Sequence, residues 1–376
     1  MISKNLNSIY ETGISHNSIY LDKNKNIDIN NKNYICNNYK EEKIEINKEQ
    51  LKNKEYLIKL IQNGKKEFLE IFEILNYIGS GGESIVYKGK IKNSNKFVTM
   101  KFIYKNNDNI NMNEIGIAKI LKNQNIVDFY GFENVVKNKL DVIIMEYAHF
   151  GNMKDFKKNV LKRAYFSESL IGYFAVQILK GLYYMHIICK IAHLDLKPEN
   201  LIIDQYLNAK IIDFSISLNY SQITSKKIRL SCRGTSFYMA PEVLSSKIIN
   251  VKDLNKVDLF SFGVIIFYLA FGYLPFGLTS EISNDFNKIA EKIEKNELEI
   301  KENEFYSNCF NDFLKRLLEK DINKRINIFE AINHDFIKKS NILFEEKEKT
   351  YNVGNFLVYL MTDHHKTFND LVYNSI

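Results

Sequence analysis

The sequence predicts an α+β fold in which a small strand-rich lobe with one helix precedes a larger helical lobe. Two observations carry that prediction. "FEILNYIGSGGESIVYKGKI" (72–91) reads as strand, glycine turn, strand, and "KFVTMKFIYK" (96–105) supplies a further strand. After "DVIIMEYAHFGNM" (141–153) the apolar spacing becomes mainly helical, through "SLIGYFAVQILKGLYYMHII" (169–188) and on to about Phe336.

Residues 1–70 form an extension rich in Asn, Lys and Glu, and its stretch Met1–Asn38 has the composition of a disordered segment. "KEEKIEINKEQLKNKEYLIKLIQ" (40–62) has helical spacing and mixed charge, which predicts a solvated helix leading into the body near Phe72. The small lobe is expected over about 72–145, with its helix at "NMNEIGIAKILKN" (111–123), and the larger lobe over 149–337. The longest apolar run, "GVIIFYLAFGYLPFG" (263–277), is short and broken by Gly and Pro, so it reads as a buried core helix and not a membrane span. Residues 338–376 are expected to form a tail, a charged spacer followed by "NVGNFLVYLMTDHHKTFNDLVY" (352–373), apolar enough to pack as a helix.

Bulk properties narrow the function classes. At 376 residues and 45% hydrophobic content the chain can bury two lobes with real cores. Its net charge of +7 suits anionic phosphates and is too weak to argue for nucleic acid, and a composition biased to Lys and Asn produces such an excess by itself. Cys36, Cys189, Cys232 and Cys309 form no CxxC pair, so neither a zinc site nor a disulfide framework is expected. "MISKNLNSIY" lacks an apolar signal core and Ile2 excludes a myristoylation start, so the expected setting is reduced and cytoplasmic, nuclear entry included. Oligomeric state leaves no mark in the sequence.

The residue types then point to phosphoryl transfer, which asks a protein for positioning and charge neutralisation. In "IGSGGES" Gly79, Gly81 and Gly82 allow backbone amides close to phosphate oxygens, although a glycine hairpin is also an ordinary turn. Lys101 ends an apolar strand and Glu114 opens the following helix as its candidate partner; each also reads as a solvated surface charge. "HLDLKPEN" (193–200) is more specific: Asp195 to accept the proton of an incoming hydroxyl, Lys197 to screen the moving phosphoryl group, Asn200 to ligate magnesium. "IIDFS" (211–215) puts Asp213, a hard oxygen ligand, across an expected hairpin from Asn200.

With these motifs in order, the chain resembles a eukaryotic protein kinase of the Ser/Thr class over roughly Phe72–Phe336. The resemblance implies the two-lobed kinase fold, with an antiparallel sheet and one key helix in the small lobe. It makes Ile78, Gly79, Ser80, Gly81, Gly82, Glu83, Ser84 and Val86 the phosphate loop, and Lys101 the lysine on the α/β-phosphates, with Glu114 its partner. It puts Thr99 against the adenine and Ile202 among the ATP-binding residues, Met145 at the gatekeeper, Glu146 and Ala148 in the hinge, and Asn152 near the ribose. Asp195 and Lys197 are then catalytic, and Asn200 and Asp213 hold the metal. "GTSFYMAPE" (234–242) ends an activation segment containing Thr224, Ser225, Ser231 and Thr235, Asp258 ties the catalytic loop to a core helix, and Arg325 pairs with Glu242. The implied reaction transfers the γ-phosphate of ATP, with Mg2+ or alternatively Mn2+, to Ser/Thr hydroxyls of protein substrates. The competing implication is a pseudokinase, an ATP-binding scaffold, which commonly lacks the equivalents of Lys101, Asp195 or Asp213; all three are present.

The chain departs from the family at several positions. Ser84 stands for the third loop glycine, Thr99 for the usual alanine and Ser215 for the glycine of the magnesium motif. Leu194 stands where the family has the arginine that binds an activation-segment phosphate, and the two helping basic positions align with Leu218 and Ile110. Either a small hydrophobic contact replaces the phosphate pocket, or these side chains pack elsewhere and the segment stays mobile. Lys226, Lys227, Arg229 and Arg233 offer another route to a phosphate, or are a solvated basic loop. Tyr268 stands where basic-directed kinases often have an acid, while Glu199 remains able to recognise a basic residue.

Overall fold

Strand propensity and turn chemistry build the small lobe first. The computed structural model describes residues 48–82, 84–104, 112–137, 139–161, 165–221, 223–279, 285–300 and 305–350. Strands β1 (Phe72–Ser80), β2 (Ser84–Ile91), β3 (Phe97–Tyr104), β4 (Phe129–Val136) and β5 (Leu140–Glu146) make one antiparallel five-stranded sheet in the order β1-β2-β3-β5-β4. One face buries Ile85, Tyr87, Val98, Met100, Phe102, Val142 and Ile144.

That face is covered from the N-terminal side. Helix α1 (Lys54–Asn63) starts where the Asn53 side chain accepts the backbone N–H of Glu55 and Tyr56, and it places Leu57, Leu60 and Ile61 on one stripe. With Leu51 and Phe68 these side chains complete the small-lobe core, and the Tyr87 hydroxyl lies 2.8 Å from the Leu51 carbonyl oxygen and 2.7 Å from that of Lys52. The segment expected to be a solvated helix is therefore amphipathic, and the core of this lobe reaches back to Leu51 rather than beginning at Phe72. Its abundant Lys and Glu hid an apolar stripe only three residues wide. The expected disorder of Met1–Asn38 lies outside the described residues. Leu57→Ala is expected to cost about 2–5 kcal/mol, as for other fully buried leucines, seen as a lower urea midpoint for the small lobe.

Helix α2 (Met112–Ile120) follows β3 and buries Glu114, Ile115 and Ile117. In the larger lobe, α3 (Glu168–Tyr183), capped by Ser167, and α4 (Leu254–Phe271) run through the centre of one continuous apolar core. Gly272 ends α4 at φ +80°, the left-handed cap that glycine adopts without a Cβ penalty. The stretch Val251–Phe271 is long and apolar enough to cross a membrane, but 78% of its apolar window is buried within the fold, as expected of a core helix. Helices α5 (Phe286–Lys295), α6 (Asn308–Leu317) and α7 (Asp335–Thr350) pack around that centre. Helix α7 crosses the boundary expected near residue 337 without a break, and its Ser340 is fully buried. The tail helix expected at 352–373 lies outside the described residues.

Short strands carry the segments between the lobes. β6 (Ile191–Ala192) pairs with β9 (Leu218–Asn219), β7 (Leu201–Ile203) with β8 (Ala209–Ile211), and β10 (Lys227–Arg229) with β11 (Ile248–Asn250), all antiparallel.

Candidate active site

The β7–β8 hairpin brings the two expected metal ligands to one end. Leu201 pairs with Ile211, and the Ile212 N–H donates to the Asn200 carbonyl at 3.0 Å, so Asp213 leaves the hairpin beside Asn200. At the turn, Asp204 Oδ1 accepts the N–H groups of Tyr206 and Asn208, each at 2.8 Å, which fixes the register.

The loop before the hairpin hangs from one buried carboxylate. Asp258, on α4, is completely enclosed. Its Oδ2 lies 2.7 Å from the His193 N–H and 2.7 Å from His186 Nε2, and its Oδ1 accepts the Leu194 N–H at 2.8 Å. Burial alone would raise this carboxyl, but the His186 ring, then the His193 ring and the His193 N–H, hold it below the usual range. These bonds stabilise Leu194 at φ +68°, a conformation costing a non-glycine residue about 1–2 kcal/mol. The turn that results aims Asp195 away from the core.

Asp195 is tied on both oxygens. Oδ2 lies 2.7 Å from Lys197 Nζ and accepts Asn200 Nδ2 at 3.1 Å; Oδ1 accepts the Thr235 N–H at 3.1 Å. Lys197 Nζ also donates to Thr235 Oγ1 at 3.0 Å. Gly234, at φ +94°, lies against the Asp195 carboxylate, where any Cβ would collide with it. The end of the activation segment is thus locked onto the catalytic loop through Thr235.

Across the cleft, Lys101 Nζ reaches Glu114 Oε1 at 2.7 Å and Asp213 Oδ1 at 3.2 Å. Burial would lower this lysine, and the two carboxylates more than offset that, so its ammonium is held above the usual range. Burial raises the Glu114 carboxyl against the pull of Lys101. Asp213 is also opposed by burial, yet Lys101 and the Ser215 side chain bring it down to about 2. Two ammonium groups, Lys101 and Lys197, face three carboxylates, Glu114, Asp195 and Asp213, a net charge of −1.

Residues 72–337 match the family described as Protein kinase domain. The chain belongs to the protein kinase family. "Serine/threonine-protein kinase 4 homolog B" of Dictyostelium discoideum is 36% identical over 187 residues, 50% of this chain and 16% of that protein. "MAP kinase kinase MKK1/SSP32" of Saccharomyces cerevisiae is 30% identical over 317 residues, 76% of this chain and 58% of that protein. "Serine/threonine-protein kinase BCK1/SLK1/SSP31" of the same yeast is 40% identical over 136 residues, 36% of this chain and 9% of that protein. The chain thus spans less than two thirds of each of these relatives.

The remaining positions implied by the kinase pattern divide into three groups. In the glycine loop, Ile78, Ser80, Gly81 and Gly82 lie at the β1–β2 turn, Ser84 is buried, Val86 pairs with Lys101, and Glu83 lies outside the described residues. Among the described residues, a Cβ on Gly79 or Gly82 would meet no atom within 4 Å beyond its chain neighbours, so packing against them does not demand glycine there. In the cleft wall, Thr99 pairs with Met145 and Val98 with Glu146; Ala148 and Ile202 are buried, and Asn152 bridges to Ile202. The Glu146 Oε2 is bound to Lys210 at 2.7 Å, which turns that oxygen away from a ligand, and the Asn152 amide caps its own helix turn at Asp155. In the activation segment, Thr224, Ser225 and Ser231 are exposed, and β10 is pinned to β11.

Sequence reasoning passed over His186, which shares Asp258 with the catalytic loop, and Asn113, whose Nδ2 donates to the Ser217 carbonyl at 3.0 Å. Neither stands in a motif, and both contacts join residues far apart in the chain. Leu194 and Leu218 are half-buried and both lie on the large-lobe core; Ile110 is outside the described residues. Lys226, Lys227, Arg229 and Arg233 are exposed and make no ion pair among the described residues.

Proposed function

We propose that this chain is an active serine/threonine protein kinase that transfers the γ-phosphate of ATP to Ser or Thr hydroxyls of protein substrates. One observation carries the reading: the Lys101–Glu114–Asp213 and Asp195–Lys197–Thr235 contacts are closed at the same time, on the two sides of one cleft. A scaffold has no use for both. Lys101 is placed to bind the phosphates, Asp195 to take the hydroxyl proton, and Lys197 to neutralise charge on the group in transit.

The donor set fits a hard divalent cation. Asp213 is ionised at any physiological pH, the Asn200 amide nitrogen is spent on Asp195 at 2.8 and 3.1 Å so that its oxygen is the end left to coordinate, and the site carries a net negative charge. Asn200 and Asp213 would hold Mg2+ or Mn2+, which supplies charge neutralisation at the phosphates. Transfer of labelled phosphate from ATP to a generic Ser/Thr protein, dependent on added Mg2+, tests the reading; ATP binding with no transfer would assign the chain to the scaffold class.

The same reading extends to control. Leu194 offers no cation to an activation-segment phosphate, while the segment is held at Thr235, at the β10–β11 pair and by the Glu242–Arg325 ion pair. Pure kinase treated with a phosphatase is therefore expected to keep its rate within about twofold, less than the loss of one ordinary hydrogen bond would cause. A drop of an order of magnitude or more would show that the segment does need a phosphate.

A further inference from the structure

Five side chains meet beside the catalytic loop, outside the machinery described above. The helical turn Met153–Asp155 runs on into a π-helical stretch, Phe156–Leu161, a geometry that recurs at functional sites. It puts Lys154 and Lys157 three residues apart. Lys154 Nζ binds Glu199 Oε1 at 2.7 Å, with the lysine side chain 56% exposed. The other oxygen, Glu199 Oε2, is buried and has no hydrogen-bond partner among the described residues. Lys157 is buried, its Nζ 4.3 Å from the centre of the Tyr268 ring, and no carboxylate among the described residues pairs with it. Burial pushes its ammonium below the usual lysine range with no anion opposing. The Tyr238 hydroxyl is raised by burial first and then by Glu199 and Tyr268, so these three groups share one neighbourhood.

The place of this cluster gives it meaning. Glu199 stands two residues after Lys197, and Tyr238 three after Thr235, the pair that closes the catalytic loop on the activation segment. A substrate hydroxyl at Asp195 would carry its neighbouring residues past it. Lys154 and Lys157 stand here against Glu199, with Asp155 beside Lys154 and one of its oxygens taken by the Asn152 amide at 2.7 Å. An incoming arginine would find the reachable oxygen of Glu199 already filled by Lys154, the other buried, and Lys157 repelling it. An incoming anion would find Lys154 open to solvent and Lys157 in need of a counter-charge.

We propose that this cluster selects protein substrates with an anionic side chain, Asp, Glu or a phosphorylated residue, close to the acceptor Ser or Thr, and rejects arginine there. The proposal rests on the kinase reading above and names its substrate class. The anion would bind Lys154 on its open side, loosen its hold on Glu199, and relieve Lys157.

The test uses the full chain and a set of peptides with one Ser acceptor in a neutral background. Each flanking position carries Glu, phosphoserine, Ala or Arg in turn. Two quantities are read: kcat/KM for transfer from Mg-ATP, and binding of the fluorescently labelled peptides by anisotropy. At one or two positions Glu or phosphoserine is expected to exceed Arg by about tenfold in both readouts, the size of one well-placed charge contact. Lys154→Glu should turn that preference toward Arg, and Lys157→Met should reduce it several-fold. Equal preference for Glu and phosphoserine makes the determinant a plain acid; preference for phosphoserine alone makes it a product of earlier phosphorylation. A wild-type profile that is flat or favours Arg at every position overturns the proposal, as does an acid preference unchanged in both variants. Acid-selective binding without transfer would overturn the kinase reading, and with it the selection of substrates, while leaving the cluster as a binding site for acidic peptides. Neither transfer nor charge-dependent binding would overturn both.

Discussion

Asp195→Asn is expected to lower phosphate transfer by about 10²–10⁴-fold, the usual contribution of a positioned general base. The substitution changes almost no volume. Asparagine keeps one oxygen for the Thr235 N–H, which now meets Oδ1 of Asp195 at 3.1 Å. What it loses is the capacity to take a proton, the 2.7 Å ion pair with Lys197 and the 3.1 Å bond from Asn200 Nδ2, which keeps its 2.8 Å bond to the Asp195 carbonyl. Lys101, Glu114 and Asp213 make no hydrogen bond to Asp195, so ATP affinity should stay within a few-fold of wild type. The expected signature is a collapse of kcat with little change in nucleotide Kd. A residual rate within tenfold of wild type would remove Asp195 from the proton-transfer role. A parallel loss of ATP binding would mean that the substitution had disturbed the whole cleft.

How much of this was legible in the sequence depends on how local each constraint is. The glycine turn between two strands was readable from local turn chemistry, and Asp195 to Asn200 with Asp213 from their chemistry and the resemblance of their motifs to the kinase pattern. The Lys101–Glu114 contact, 13 residues apart, was readable only because strand and helix periods placed the two ends. Contacts between distant segments were legible only where the kinase pattern implies them, as for Asp258 with the catalytic loop and Arg325 with Glu242; the others left no trace. The Lys154–Glu199 bridge spans 45 residues, and Glu199 looked free to accept a basic residue until its partner was seen. The helix at Lys54–Asn63 was misjudged as solvated for a related reason. Its charged residues outnumber its apolar stripe, and only the sheet beneath reveals that Leu57, Leu60 and Ile61 are needed there. The Glu146 side chain is another case: its place in the hinge pattern was visible, its capture by Lys210 was not.

Arg325→Ala is expected to cost about 3–5 kcal/mol of stability, the penalty for stranding a buried charge. Arg325 is fully buried and grips Glu242 with both terminal nitrogens, at 2.7 and 2.9 Å. Its remaining donors go to the carbonyls of Glu319, Lys256 and Lys320, and its guanidinium lies 4.8 Å from the centre of the Phe260 ring. Lysine cannot reproduce that fork, so Arg325→Lys should recover little. Glu242 directly follows Pro241 at the end of the activation segment, seven residues from Thr235. Freeing it should therefore loosen the Thr235–Asp195 contact, and activity should fall even at temperatures where the chain stays folded. The double variant Glu242→Leu/Arg325→Met separates charge stranding from packing. It removes both ions together, so its urea midpoint should lie above that expected from adding the losses of Glu242→Leu and Arg325→Met measured singly. Strict additivity would mean that the pair stabilises through its carbonyl and ring contacts alone, with the ion pair contributing nothing to the anchoring of the segment.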